Sequence, residues 1–282
     1  MQRGPLVESR HRVHAVRVEG GRVVEAWGDP GLVTFMRSAA KPLQALALVR
    51  AFPDLTSEEI AIASASHTAR PEQLEVVRTL LARAGAGEED LECGSVEGSR
   101  LRHNCSGKHA GMLCVCRARG WRWKGYRLPE HPLQRELLAL VEETTASAVE
   151  STAIDGCGVV TFGLPLERMA EGFSRLVRGE VEGADRVVAA MTAEPELVEG
   201  PGMPATETMR ALPGAIAKGG AEGLLGIGLP DGSGLVLKTE DGASRAVGPA
   251  AARILRISAL AEVAITNSRG EEVGRVVGDG AA

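Results

Sequence analysis

A chain of 282 residues with 44% hydrophobic residues can bury a sizeable core, either as one large domain or as two small ones. Aromatics at 3% and a formal charge of -5 supply neither a stacking platform for bases nor an attraction for phosphate, so nucleic acid is excluded as an expected partner. No segment has the length of an apolar membrane span and the N-terminus lacks a long apolar run, which predicts a soluble, cytoplasmic protein; its five cysteines then read as free thiols or metal ligands.

In chain order, residues 12–18 and 22–27 alternate around Glu19-Gly20-Gly21 and predict a β-hairpin. Val33, Phe35 and Met36 lead into Arg37-Ser38-Ala39-Ala40-Lys41-Pro42, where a helix is expected to begin. Residues 42–49 are apolar almost all round, as in a helix buried in a core. Three residues apart, Ser38 and Lys41 share one helical face. An amine in a partly apolar pocket loses its proton near neutral pH and can accept the proton of a serine hydroxyl. Alone, this Ser-x-x-Lys pattern reads equally well as a helix cap. Lysine usage adds weight, because of 32 Lys+Arg only Lys41, Lys108, Lys124, Lys218 and Lys238 are lysines. Arginine cannot be deprotonated in a protein, so retained lysines mark places where a neutral amine is useful.

Residues 57–62 predict a short helix that runs into Ala63-Ser64-Ala65-Ser66-His67-Thr68, a loop of small and hydroxylic residues before a helix over 71–84. Ser66 fits a turn or cap as readily as a reactive hydroxyl, and His67 a structural histidine. The segment His103-Asn104-Cys105-Ser106-Gly107-Lys108-His109-Ala110-Gly111 then crowds a thiol, an amine and imidazoles at a helix start, with Cys105 and Lys108 on one face. Cys114-Val115-Cys116 lacks the spacer of common zinc knuckles and reads as core thiols. After a helix over 132–145, Asp155-Gly156-Cys157-Gly158 suggests either a carboxylate at a strand end or a plain Asp-Gly turn.

Helices are predicted over 166–177, 186–193 and 206–212. Lys218 follows a short apolar run and precedes Gly219 and Gly220, whose backbone amides could approach a ligand or an oxyanion. Residues 224–229 and 235–238 read as a second hairpin, and 249–260 as the last strong helix. Only the chain ends read as tails. Hairpins at both ends bracket a helical middle, which predicts an α/β (α+β) fold with one antiparallel sheet built from both chain ends and covered by helices.

Taken together, Ser38-x-x-Lys41, Ser66-His67, the Cys105–Lys108 string, Asp155-Gly156-Cys157-Gly158 and Ala217-Lys218-Gly219-Gly220-Ala221-Glu222-Gly223 resemble the asparaginase II-like, rhizobial-type L-asparaginases, in that family's order. The likeness runs from the first hairpin to the chain end, as a single domain over 1–282. It implies a serine β-lactamase/glutaminase-like fold, hydrolysis of L-asparagine to L-aspartate and ammonia, and a homodimer. By position it also implies two Ser-Lys pairs, Ser38 with Lys41 and Ser66 with Lys218, and a zinc ion on Cys105, Lys108 and Cys157. Asp155, beside the metal, would hold its water or the substrate's ammonium, with Arg37, His67 and Gly219 as further substrate contacts. The sequence departs from the family pattern after His67, where Thr68-Ala69-Arg70 and Gln73 replace a Ser-Gly-Glu-like continuation with a later histidine.

Two other readings share parts of the pattern. A penicillin-binding or β-lactamase-type acyl enzyme would use Ser-x-x-Lys, with Lys218-Gly219-Gly220 as a loose Lys-Thr-Gly. It also wants a Ser-x-Asn or Tyr-x-Asn partner, which Tyr126, Asn104 and Asn267 do not supply. A non-catalytic metal-binding or ligand-sensing protein could use the Cys105 cluster structurally.

Overall fold

The alternation at the start of the chain becomes an antiparallel hairpin of strands Val13–Glu19 and Arg22–Trp27. Val16 and Val18 are buried on one face of the first strand and Ala15 on the other. The structure, a computed structural model, describes residues 1–279. Strand Gly234–Thr239 lies against Val13–Glu19, with Val236 opposite Val16, and strands Leu224–Gly228 and Ile216–Gly220 complete a five-stranded sheet. Both chain ends thus contribute to one antiparallel sheet, as expected. Ile216–Gly220, which reads from sequence only as an apolar run before a lysine, is an edge strand of that sheet.

Helix Leu166–Val177 covers the sheet with a face that includes Leu166, Met169, Ala170, Phe173 and Leu176. The approach is close because the strands beneath carry glycine. A Cβ on Gly226 would lie 2.0 Å from the Phe173 ring, and one on Gly234 would lie 1.9 Å from the Ala170 carbonyl oxygen. Beyond it pack Lys41–Ala51, buried nearly throughout, and Ser57–Ala63, Pro71–Ala84, Ser106–Arg119 and Pro132–Thr145. A capping box starts Ser57–Ala63: Glu59 N donates to Thr56 Oγ1 and Thr56 N to Glu59 Oε2.

A small sheet does most to place the site. Strand Val160–Pro165 pairs with Val33–Phe35 on one side and Ser151–Ile154 on the other, so the turns that follow those two strands come together. One turn carries Arg37 and Ser38, the other Asp155 and Cys157.

The chain ends are not tails within the described residues. Gln2–Arg3 and Leu6–Val7 join Glu262–Thr266 and Glu272–Val277 in a four-stranded sheet, with Gln2 opposite Arg275. Two-residue strands are too short to show an alternating pattern. The last helix, expected over 249–260, runs Val247–Leu255 and stops at left-handed Arg256, and Ser258–Leu260 is a separate 3-10 turn. Among the described residues no helix is long and apolar enough to cross a membrane.

Candidate active site

Lys41 opens the most buried helix and is itself fully buried. A buried amine needs oxygen acceptors. Lys41 Nζ donates to the Ala65 carbonyl at 2.5 Å and to Ser66 Oγ at 2.9 Å, and none of the described residues sets a carboxylate against it. Burial pushes its pKa down to about 8. The charges of Lys108 and Lys218 lower it too, and those of Cys105 and Cys157 oppose them.

The spacing pairs Lys41 with Ser38, yet in the structure its amine meets Ser66, 25 residues downstream. The four-carbon stem reaches past its own helix start to the loop after Ser57–Ala63, where a carbonyl and a hydroxyl are both on offer. Ser38 sits in the 3-10 turn Arg37–Ala40, half-buried, and its hydroxyl bonds no other described residue. The preceding Arg37 has φ 49°, a left-handed conformation that costs a non-glycine residue about 1–2 kcal/mol. Three bonds hold it: Met36 N to the Phe162 carbonyl at 2.8 Å, Arg37 N to Thr161 Oγ1 at 3.1 Å, and Arg37 Nε to Asp155 Oδ1 at 2.6 Å. Such local strain, over-determined by its surroundings, is commonest at functional sites.

Lys218, expected beside Ser66, is bound elsewhere. Its buried Nζ donates to Glu199 Oε1 at 2.5 Å and to the Gly219 carbonyl at 2.8 Å. The same Glu199 oxygen accepts the Gly219 N–H at 2.9 Å, so that amide is not free for an oxyanion or a substrate. In the sequence Glu199 lies in no recognisable motif. Its only signal is an acidic residue directly after the apolar pair Leu197-Val198 and before a glycine. Gly220 packs the same edge strand against the Ser38 turn, and a Cβ there would lie 2.8 Å from the Met36 carbonyl oxygen.

His67 is close to the cluster but has no nitrogen to offer a substrate. Ala69 N donates to its Nδ1 at 3.1 Å, so Nε2 carries the hydrogen and donates to Ser106 Oγ at 2.8 Å. Burial first, and the Lys41 charge second, drive its pKa down to about 4, which keeps it neutral.

Cys105, Lys108 and Cys157 do come together, all buried. Lys108 Nζ donates to Cys157 Sγ at 3.1 Å. A hydrogen bond from Cys157 holds the Cys105 thiol well below its ordinary range against the opposing effect of burial, and the Lys41 and Lys108 charges assist. Cys157 is raised by the same bond. Cys105 stands at the N-cap of Ser106–Arg119, where the helix dipole favours an anion. Burial disfavours the Lys108 ammonium, but Cys157, Cys105 and Asp155 outweigh it and leave the amine raised. Asp155 itself accepts from Arg37 Nε and, at 2.8 Å, from Gly156 N, and its Oδ2 stands 3.8 Å from Cys157 Sγ.

Among the described residues no group of three or more His, Cys, Asp or Glu side chains is placed to hold a metal ion. A metal at the two thiols would need the Lys108 nitrogen as third ligand. A wide surface hollow of about 1170 Å³, lined by Val13, Trp27, Glu240 and Arg253 among others, lies elsewhere and includes none of these side chains.

A family model described as L-asparaginase II matches residues 1–277 of the chain. Among solved structures the chain is similar to a β-lactamase from Mycobacterium bovis, with 16% identity and a TM-score of 0.44 over 82% of this chain and 87% of that one. It is also similar to a simvastatin synthase mutant from Aspergillus terreus, with 12% identity and a TM-score of 0.39 over 80% and 84% of the respective chains. A search of the curated proteins found no match.

Proposed function

Because this chain belongs to the L-asparaginase II family, we propose that it hydrolyses L-asparagine to L-aspartate and ammonia through an acyl-serine intermediate. The observation that carries this reading is Lys41: a fully buried amine with a pKa near 8, in contact with one serine hydroxyl and one turn away from another that is open.

Ser38 Oγ attacks the side-chain amide carbon and its proton passes to neutral Lys41. The Ser38 backbone N–H, near the start of the 3-10 turn and without a carbonyl partner among the described residues, takes the developing oxyanion. Lys41 then returns the proton through Ser66 Oγ to the amide nitrogen, the C–N bond breaks, and ammonia leaves a β-aspartyl ester on Ser38. Water cleaves the ester with Lys41 again as base. The Ser38 hydroxyl, unbonded among the described residues, supports it as the attacking group, and the 2.9 Å contact with Lys41 suits Ser66 to the relay. Catalytic contacts that are long without substrate tighten once it binds. Beside them, the remaining N–H groups of Arg37 suit the substrate α-carboxylate, and Asp155 Oδ2 suits the α-ammonium.

Zinc fits the donor chemistry of Cys105, Lys108 and Cys157, two soft sulfurs and one amine, once the thiols and Lys108 have given up their protons. Bound there, it would supply positive charge and Lewis acidity beside the substrate contacts.

The experiment is acid-quenched turnover of asparagine with peptide mass mapping. An aspartyl adduct on Ser38 is the expected result. An adduct on Ser66, which the Lys41 contact favours as a second reading, would exchange the roles of the two serines. No ammonia from asparagine would end the asparaginase assignment.

A further inference from the structure

Two buried amines, Lys41 and Lys218, lie close enough for the charge of one to act on the other, and their partners differ in kind. Among the described residues Lys41 Nζ hydrogen-bonds a carbonyl and a hydroxyl, whereas Lys218 Nζ bonds a carboxylate that is itself buried. A buried ammonium opposite a carboxylate is compensated, and one opposite neutral oxygens is not. We infer that Glu199 is a positioning residue: it fixes Lys218 as an ammonium on the edge strand, so that of the two amines Lys41 alone gives up its proton and serves as base. The inference rests on the Ser-Lys reading of the site and adds a residue to it.

Three features show that the carboxylate is built in. Its Oε1 receives both the Lys218 amine and the Gly219 amide, which fixes its direction. Gly219 leaves room for it, since a Cβ at that position would lie 2.7 Å from the same oxygen. The chain around Glu199 is also tied to the catalytic loop, with Ser66 N donating to the Val198 carbonyl at 2.8 Å and Gln73 Nε2 to the Glu199 carbonyl at 3.3 Å. Glu199 therefore holds Lys218 from the same segment that anchors the backbone of Ser66.

The charged groups around the two amines come from several elements. They are Glu199 before helix Pro204–Ala211, Cys105 and Lys108 at the start of Ser106–Arg119, and Cys157 after strand Ser151–Ile154. The cysteines and Lys108 act on Lys41, and the ammonium of Lys218 adds to the lowering of Lys41. A fixed charge on Lys218 thus helps to keep Lys41 the one that discharges. If Lys218 could discharge too, one proton would be shared between two amines and the base would lose its definition.

With only five lysines in the chain, the amines can be followed one by one. The test is side-chain NMR of lysine labelled with 13C at Cε, titrated between about pH 6 and 10, on wild type, Glu199→Gln, Glu199→Asp and Gly219→Ala. In wild type the Lys41 resonance should move before that of Lys218. In Glu199→Gln and Gly219→Ala the Lys218 resonance should move earlier than in wild type, and Glu199→Asp should restore much of the original order. In kinetics Glu199→Gln should lose at least about tenfold in kcat with KM within about threefold, and its pH profile should gain a falling alkaline limb. Lys218 moving before Lys41 in wild type would overturn the proposal even if no variant folds. Identical Lys218 titrations in wild type and Glu199→Gln, or a kcat loss of the same size at every pH, would overturn it as well. The NMR readout does not need turnover, so an absent asparaginase activity would count against the proposed function and not against the role of Glu199.

Discussion

Replacing Lys41 with methionine should destroy activity and, near neutral pH, make the protein more stable. The folded protein takes the amine from 10.5 down to about 8, chiefly through burial. At about 1.36 kcal/mol for each pH unit, protonating it in the folded state costs about 3 kcal/mol more than in the unfolded chain. Below pH 8 both states bind the proton and the penalty is present in full. Between 8 and 10.5 the unfolded chain holds more protons than the folded one, so wild-type stability rises with pH and the penalty fades. Linkage places the relief at about 2 kcal/mol between pH 7 and about 9.5. Methionine fills similar space without the charge, but it forfeits the bonds to the Ala65 carbonyl and Ser66 Oγ, worth about 1–2 kcal/mol together. Urea unfolding at several pH values should therefore find Lys41→Met about 1–2 kcal/mol more stable at pH 7, with wild type catching up by about 2 kcal/mol at about pH 9.5. The same shift sets the rate. At pH 7 about one molecule in ten carries neutral Lys41, against about one in three thousand at the ordinary value, so wild-type kcat/KM should rise nearly tenfold per pH unit below 8 and then level. A stability difference that stays constant across this pH range would refute the reasoning, because it would mean that Lys41 keeps its proton in the folded protein and cannot be the base.

Four other outcomes follow from the same geometry. Ser38→Ala should lose at least about a thousandfold in kcat, and Ser66→Ala less, with both melts close to wild type; the opposite ranking in ammonia release would make Ser66 the nucleophile. Asparagine should be preferred to glutamine by about 1–3 kcal/mol in kcat/KM, since a site that fixes both α-groups leaves little room for another methylene, and equal specificity constants would contradict this. Protein purified without a histidine tag should hold close to one equivalent of zinc at neutral pH and lose it on acidification or in Cys105→Ser; uptake below about a tenth of an equivalent would end the zinc assignment. Gly220→Ala should cut kcat at least about tenfold, because its Cβ would press on the Met36 carbonyl oxygen behind the Ser38 turn, and wild-type turnover would show that the turn gives way freely.

Much of this architecture is written in local pattern. The period-two runs around Gly20-Gly21 and in 224–239 mark the strands of the main sheet, and helices Pro71–Ala84, Pro132–Thr145 and Leu166–Val177 begin and end where the sequence places them. What spacing cannot convey is the choice that a long side chain makes among distant acceptors. Lys41 and Lys218 each reach for oxygen from another segment, at Ser66 and at Glu199, and those partners become available only when the chain has packed. Glu199 in particular is one acidic residue among many until Gly219 leaves room for it.

The meeting of Arg37 with Asp155, 118 residues apart, has a different origin. It depends on Val33–Phe35 and Ser151–Ile154 flanking one central strand, and segments of three and four residues carry too little alternation to announce a sheet. Once they pair, the register puts Phe35 and Ser151 on either side of Gly163, and both chains leave the sheet at the same end. The strained Arg37 then has a carboxylate within 2.6 Å to hold it, and Ser38 is presented beside the Cys157 turn and not elsewhere on the surface. A substitution that breaks this ion pair should therefore disturb Ser38, the proposed nucleophile, through the turn, in addition to any loss of substrate contacts at Arg37 and Asp155.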